Sequence, residues 1–201
     1  MPRRAVARCA LVCLLLPIAC SRSTPAARDY VTTLQRERAE KDALFRTDAG
    51  PLTPQQRAMF RGLNYWQPAA DFVVDAQLIA AAGLDSLQFP TSKGTFDPYV
   101  KLGRLQFELR RRPYELTLYR SVEGGHLFLP FIDRTSGRES YGAGRYIDLE
   151  LAADGSTRID FNRAYNPYCA YNAGWTCPLA PSENMLDLRV EAGERSFAPG
   201  H

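Results

Sequence analysis

The chain has 201 residues, 45% hydrophobic and 11% aromatic, which suits one globular domain plus a short targeting segment. Its formal charge is +3, but setting aside Arg3, Arg4 and Arg8 of the leader leaves 22 Lys and Arg against 22 Asp and Glu. A mature chain so close to neutrality excludes an electrostatic case for nucleic acid or for an anionic membrane surface.

The first 19 residues read as a signal peptide of lipoprotein type. Arg3, Arg4 and Arg8 make a basic start, and Cys9 to Ala19 is an apolar run too short to span a bilayer. The run ends Leu16-Pro17-Ile18-Ala19-Cys20, and a small residue before a cysteine resembles a bacterial lipobox, with Cys20 acylated to become the first mature residue. Pro17 departs from that pattern, so plain secretory cleavage and an uncleaved anchor stay open. Ser21 after Cys20 fits lipoprotein sorting to the outer membrane, facing the periplasm. Residues 20–28 read as a flexible tether, and 29–201 as one β-rich domain.

Two helices are expected first. Asp29 to Phe45 is rich in helix formers, but its apolar stripe of Tyr30, Leu34 and Phe45 is interrupted by Arg38 and Lys41, which suggests a solvated helix that packs by its ends. Thr53-Pro54-Gln55-Gln56 carries a capping box, and Gly62 marks the stop two turns later.

Fourteen prolines and fourteen glycines point to many turns, and beyond Pro68 the pattern alternates with period two. Phe72 to Leu78, Leu105 to Leu109, Tyr114 to Leu118 across an arginine-rich turn, Leu127 to Leu129, Ile147 to Leu151 paired with Ile159 and Phe161, and Leu186 to Val190 all read as strands. The fold class is mainly β (α+β): an antiparallel sandwich or partly open barrel of seven or eight strands with one or two N-terminal helices.

The stretch from Phe131 to Asn184 packs acids, arginines, amides and tyrosines among glycines and prolines, a composition typical of binding loops held on rigid strands. Its segments Phe131-x-Asp133-x-Thr135-Ser136-Gly137-x-Glu139-x-Tyr141-Gly142-x-Gly144-Arg145-Tyr146, Asp160-Phe161-Asn162-Arg163-Ala164-Tyr165-Asn166-Pro167, and Cys177-Pro178 with Pro181-x-Glu183-Asn184 resemble the signature of the bacterial domain-of-unknown-function family 1684. The resemblance runs from Asp29 to Glu194. It implies no established activity, only a bacterial domain that is often exported or membrane-attached.

Two chemical readings compete for the polar set. In the first, Asp133, Glu139, Asn162, Arg163, Asn166, Glu183 and Asn184 cap turns and form buried ion pairs. In the second they line a pocket in which Arg145 binds an anion, Glu139 or Glu183 accepts a proton, and Tyr141, Tyr146, Tyr165, Tyr171 and Trp175 form the walls. Cys169 and Cys177 are expected to form a disulfide, the default in an exported protein; with only His126 and His201 as histidines, a metal site lacks ligands. No nucleophile-elbow, phosphate-loop or dinucleotide motif is present, and no residue demands a flavin or haem, so no cofactor is expected. The expected function is an exported lipoprotein that binds a small-molecule ligand or envelope partner without catalysis; the alternative is an envelope hydrolase or transferase using Glu139 or Glu183 with Arg145.

Overall fold

A computed structural model describes residues 25–197. The expected signal peptide and Cys20 lie outside them. Helix α1 (Pro25–Phe45) begins earlier than the sequence suggests, so the last residues of the expected tether form its first turn. Proline at a helix start followed by Ala26 and Ala27 accounts for this, since proline there loses no hydrogen bond and alanine favours the helix. Helix α2 (Pro54–Met59) has the expected capping box, with Gln56 N–H donating to the Thr53 hydroxyl at 3.2 Å and Thr53 N–H to the Gln56 side chain at 2.9 Å. It ends at Met59, before Gly62, because Phe60 is already extended (φ −67°, ψ 123°) and turns its ring into the core.

Eight strands follow: β1 (Val73–Ala80), β2 (Ser86–Pro90), β3 (Phe96–Leu109), β4 (Arg112–Ser121), β5 (Leu127–Asp133), β6 (Arg145–Ile147), β7 (Ser156–Asp160) and β8 (Met185–Leu186). They form one sheet in the order β6-β5-β4-β3-β1-β7, antiparallel throughout that path, with β2 added to β3 and β8 pairing parallel to β5. The sheet curls into a half-barrel, the partly open form of the expected architecture.

Strand β3 organises the curl. Its first half pairs with β2 and its second with β1, and a bulge between Lys101 and Gly103 separates the two. Gly103 sits at φ +148°, where a Cβ would lie 2.1 Å from the Ile79 carbonyl oxygen, so only glycine permits the approach of β1. The β3–β4 turn is a two-residue hairpin with Arg110 and Arg111 both at positive φ, the backbone that matches strand twist.

The concave face buries Phe72, Leu105, Leu116, Leu129, Phe131 and Phe161, as the alternation predicts. Two expectations fail. Ile147 to Leu151 does not form a ladder with β7, which pairs instead with β1; alternation assigns a residue to a face but not to a partner strand. Thr117 and Tyr119, on the face read as polar, are buried. The 3-10 turn Ser182–Asn184 covers Thr117, and Tyr119 joins a second aromatic cluster with Phe89, Tyr99, Phe128 and Tyr146.

Candidate functional site

A cleft of about 940 Å³ opens between α1 and the outer aromatic cluster. Its construction begins with two backbone bridges. Tyr146 and Tyr165 exchange N–H···O bonds of 2.9 and 3.0 Å, which sets their rings edge to face at 5.8 Å. Tyr65 pairs antiparallel with Glu194, bringing the C-terminal segment against the chain between the helices and the sheet. Tyr99, Phe128, Tyr146 and Tyr165 line one side, and Tyr168, Trp175, Thr176, Cys177 and Pro178 another.

The opposite wall is α1. Tyr30, Leu34, Glu37, Arg38, Lys41 and Phe45 fall at helical spacing on one face. The polar members of that face fasten the helix. The Tyr30 hydroxyl donates to Asp160 at 2.8 Å, Glu37 takes two bonds from Arg163 at 2.8 and 2.9 Å, and Lys41 pairs with the buried Glu194. Arg38 donates to the carbonyls of Trp66 (3.1 Å) and Asn162 (3.3 Å) and stacks 4.2 Å from the Tyr65 ring. The expectation of a solvated helix is therefore corrected: Arg38 and Lys41 belong to the inward face. A polar residue that finds a buried partner leaves no trace in apolar periodicity.

Burial is the first cause of the raised tyrosine pKa values here, with Glu194 adding for Tyr65 and Asp148 for Tyr165. These hydroxyls therefore stay protonated donors. Burial likewise lowers the Arg38 guanidinium from its ordinary value. Two polar atoms of this region, Arg38 Nε and the Tyr65 hydroxyl, are buried with no hydrogen-bond partner among the described residues.

Only part of the expected site converges on the cleft. Tyr146, Asn162, Arg163 and Tyr165 line it. Asn162 holds both polar groups of Ala69, its amide oxygen accepting at 2.9 Å and its nitrogen donating at 2.9 Å. Asn166 serves the same region from behind, its N–H reaching Glu194 at 3.0 Å and its amide reaching the Arg195 carbonyl at 2.8 Å.

The remaining candidates are scaffold. Arg145 is fully buried and donates to Asp133 (3.2 Å) and to the carbonyls of Val190 (2.9 Å), Ala192 and Glu194 (3.1 Å), so it has no access to an anion. Asp133 also caps its own loop, accepting from Thr135 N–H at 3.1 Å and Val190 N–H at 2.8 Å. Asn184 clamps β4 to β5 through both polar groups of Thr117 and the Pro130 carbonyl.

Glu139 bonds Arg189, which lowers its carboxyl below the usual range. Glu183 bonds Lys101 and the Tyr119 hydroxyl; burial opposes ionisation there, but these two donors prevail and its pKa is also lowered. Neither acid lines the cleft, and a carboxyl held ionised is a weak proton acceptor at neutral pH. The acid–base arrangement with Arg145 is thus not assembled. The Tyr141 hydroxyl points to the Cys169 sulfur at 3.7 Å. Cys169 and Cys177 are free thiols, so the expected disulfide is absent from this structure, although Cys169 N–H donates to the Cys177 sulfur at 3.1 Å.

A solution NMR structure of an uncharacterised protein from Haloarcula marismortui is similar to this chain: 36% identical, TM-score 0.66, covering 85% of this chain and 96% of that one. No curated protein matches. The model of the family described as "Protein of unknown function (DUF1684)" matches residues 58–195, a span that begins in α2 rather than at Asp29 and takes in the whole sheet and Glu194.

Proposed function

This chain belongs to the family of unknown function DUF1684, and from that footing we propose that it is an exported, lipid-anchored domain that binds a small, largely apolar ligand in the cleft beneath α1, without catalysis. One observation carries the reading: a concave, aromatic-walled space of about 940 Å³ into which a few polar side chains of α1 and the Asn162–Tyr165 segment converge. That combination is the usual build of a small-molecule site. Trp175 is 42% exposed at the rim and packs on Tyr168 at 5.0 Å, where a ligand would cover it.

Titration with the fluorescent aromatic sulfonate 1-anilinonaphthalene-8-sulfonate tests this. Saturable binding to one site is expected, weakened about tenfold by Trp175→Ala, equivalent to roughly 1.4 kcal/mol. Phe96→Ser, which removes an exposed side chain outside the cleft, should leave it unchanged. Equal binding by wild type and Trp175→Ala would overturn the assignment.

The anchor rests on the leader and Cys20, with Ser21 favouring the outer membrane. Among the described residues no helix is long and apolar enough to cross a membrane. Radiolabelled palmitate should enter the wild-type chain in a lipoprotein-processing host and be lost in Cys20→Ala; labelling that persists would refute acylation at that residue.

A further inference from the structure

We propose that Cys169 and Cys177, the second of them in the cleft wall, are a thiol–disulfide exchange pair, with Cys169 the attacking thiol, Cys177 the resolving thiol, and a low-molecular-weight disulfide as oxidant. The pair stands on its own geometry, whatever the cleft binds.

Four observations converge. The two residues are in contact, Cys169 N–H lying 3.1 Å from the Cys177 sulfur. Their exposures differ in the sense exchange needs: Cys169 is partly exposed, whereas Cys177 is 5% exposed. Cys177 is also fixed, since its N–H donates to the Ser92 hydroxyl at 3.2 Å and its carbonyl accepts from Ser92 N–H at 2.8 Å. Finally, the Tyr141 hydroxyl stands 3.7 Å from the Cys169 sulfur, placed to donate to a thiolate. Hydrogen bonding from the Cys177 thiol, joined by Tyr141 and Ser92, lowers the Cys169 thiol to about 6, while Cys177 is pushed up. A metal role has no support, because no group of three His, Cys, Asp or Glu residues gathers among the described residues.

The chemistry balances in two displacements. The Cys169 thiolate attacks one sulfur of the oxidant RSSR, forms a mixed disulfide and expels RS⁻. Cys177 then gives up its proton and attacks the Cys169 sulfur, closing the intramolecular bridge and releasing the second RS⁻. The two protein thiols are oxidised, the oxidant is reduced to two thiols, and the protons pass to the leaving thiolates. The bridge expected from the sequence is then the oxidised member of this pair. Closing it fastens the loop bearing Tyr168 and Trp175 to the Ser92 turn of the sheet.

The test is exposure of the reduced, full-length protein to oxidised glutathione, followed by peptide mapping. Wild type should acquire the Cys169–Cys177 bridge. Cys177→Ser should stop at glutathionylated Cys169, and in wild type the first step should reach half its maximal rate at a pH below that of an ordinary thiol. Cys169→Ser should leave Cys177 at least about tenfold less reactive. Wild type that keeps both thiols, or that accumulates the mixed disulfide without closing, overturns the pair. Faster modification of Cys177 than of Cys169 overturns the assigned order.

Discussion

Replacing Arg145 by methionine is expected to lower the unfolding free energy by about 3–5 kcal/mol, the range for removing one partner of a buried ion pair. Losses of that size take up much of the stability a single domain possesses. The guanidinium is wholly buried, lies 5.0 Å from the Trp66 ring and 5.1 Å from Phe131, and joins the β5–β6 region to the segment from Val190 to Glu194 through three carbonyls. Methionine fills much of the space but leaves those carbonyls without a donor and the Asp133 charge uncompensated. Lysine keeps the charge but lacks the fork, so Arg145→Lys should lose an intermediate amount. Adding Asp133→Asn to Arg145→Met should cost less than the sum of the two single changes, because both remove the same ion pair. Urea unfolding followed by circular dichroism measures wild type and the four variants. Arg145→Met within 1 kcal/mol of wild type would remove Arg145 from its place as the central fastener.

That residue also shows what the sequence could convey. An arginine among glycines and tyrosines declares a need for acceptors, and Asp133 twelve positions away was a visible candidate. The carbonyls of residues 190–194 were not, because backbone acceptors are present everywhere and only the fold selects them. Asn162 and Asn184 misled in the same way: amides that clamp a backbone have the composition of amides that hold a ligand. The strands were more legible, since Leu105, Phe107 and Leu109 must share a face once β3 is extended. Strand β2 gives no clear signal in the sequence, because Ser86–Pro90 is short and ends in proline, and its partner on β3 lies beyond a turn. On α1, counting Glu37, Arg38 and Lys41 together with Tyr30, Leu34 and Phe45 as one face would have revealed the inward surface. Nothing local distinguishes the buried Glu194 from the half-buried Glu191 or the exposed Asp187.

Glu194 is where the cleft is held together, and Glu194→Ala is expected to cost about 3 kcal/mol and to loosen α1. One carboxylate oxygen receives Lys41 of the helix; the other receives Asn166 N–H and the Tyr171 hydroxyl. Burial, then the neighbouring Glu194 charge, holds the Tyr171 pKa well above its ordinary value, so that hydroxyl is a donor at neutral pH. Alanine would strand three donors at once, one of them a cation. Lys41→Met should cost less: the lysine is 26% exposed, and the buried carboxylate would keep its other two donors. Glu194→Gln, which retains the shape and an acceptor, should fall between wild type and alanine. Hydrogen–deuterium exchange locates the effect. Amides of α1 near Lys41 should exchange faster in Glu194→Ala, while those of β3 and β4, fastened by the sheet ladder, keep their protection relative to the new global stability. If α1 exchanges no faster than the sheet in that variant, the helix is held by Tyr30 and Glu37 instead, and the cleft is closed from its other end.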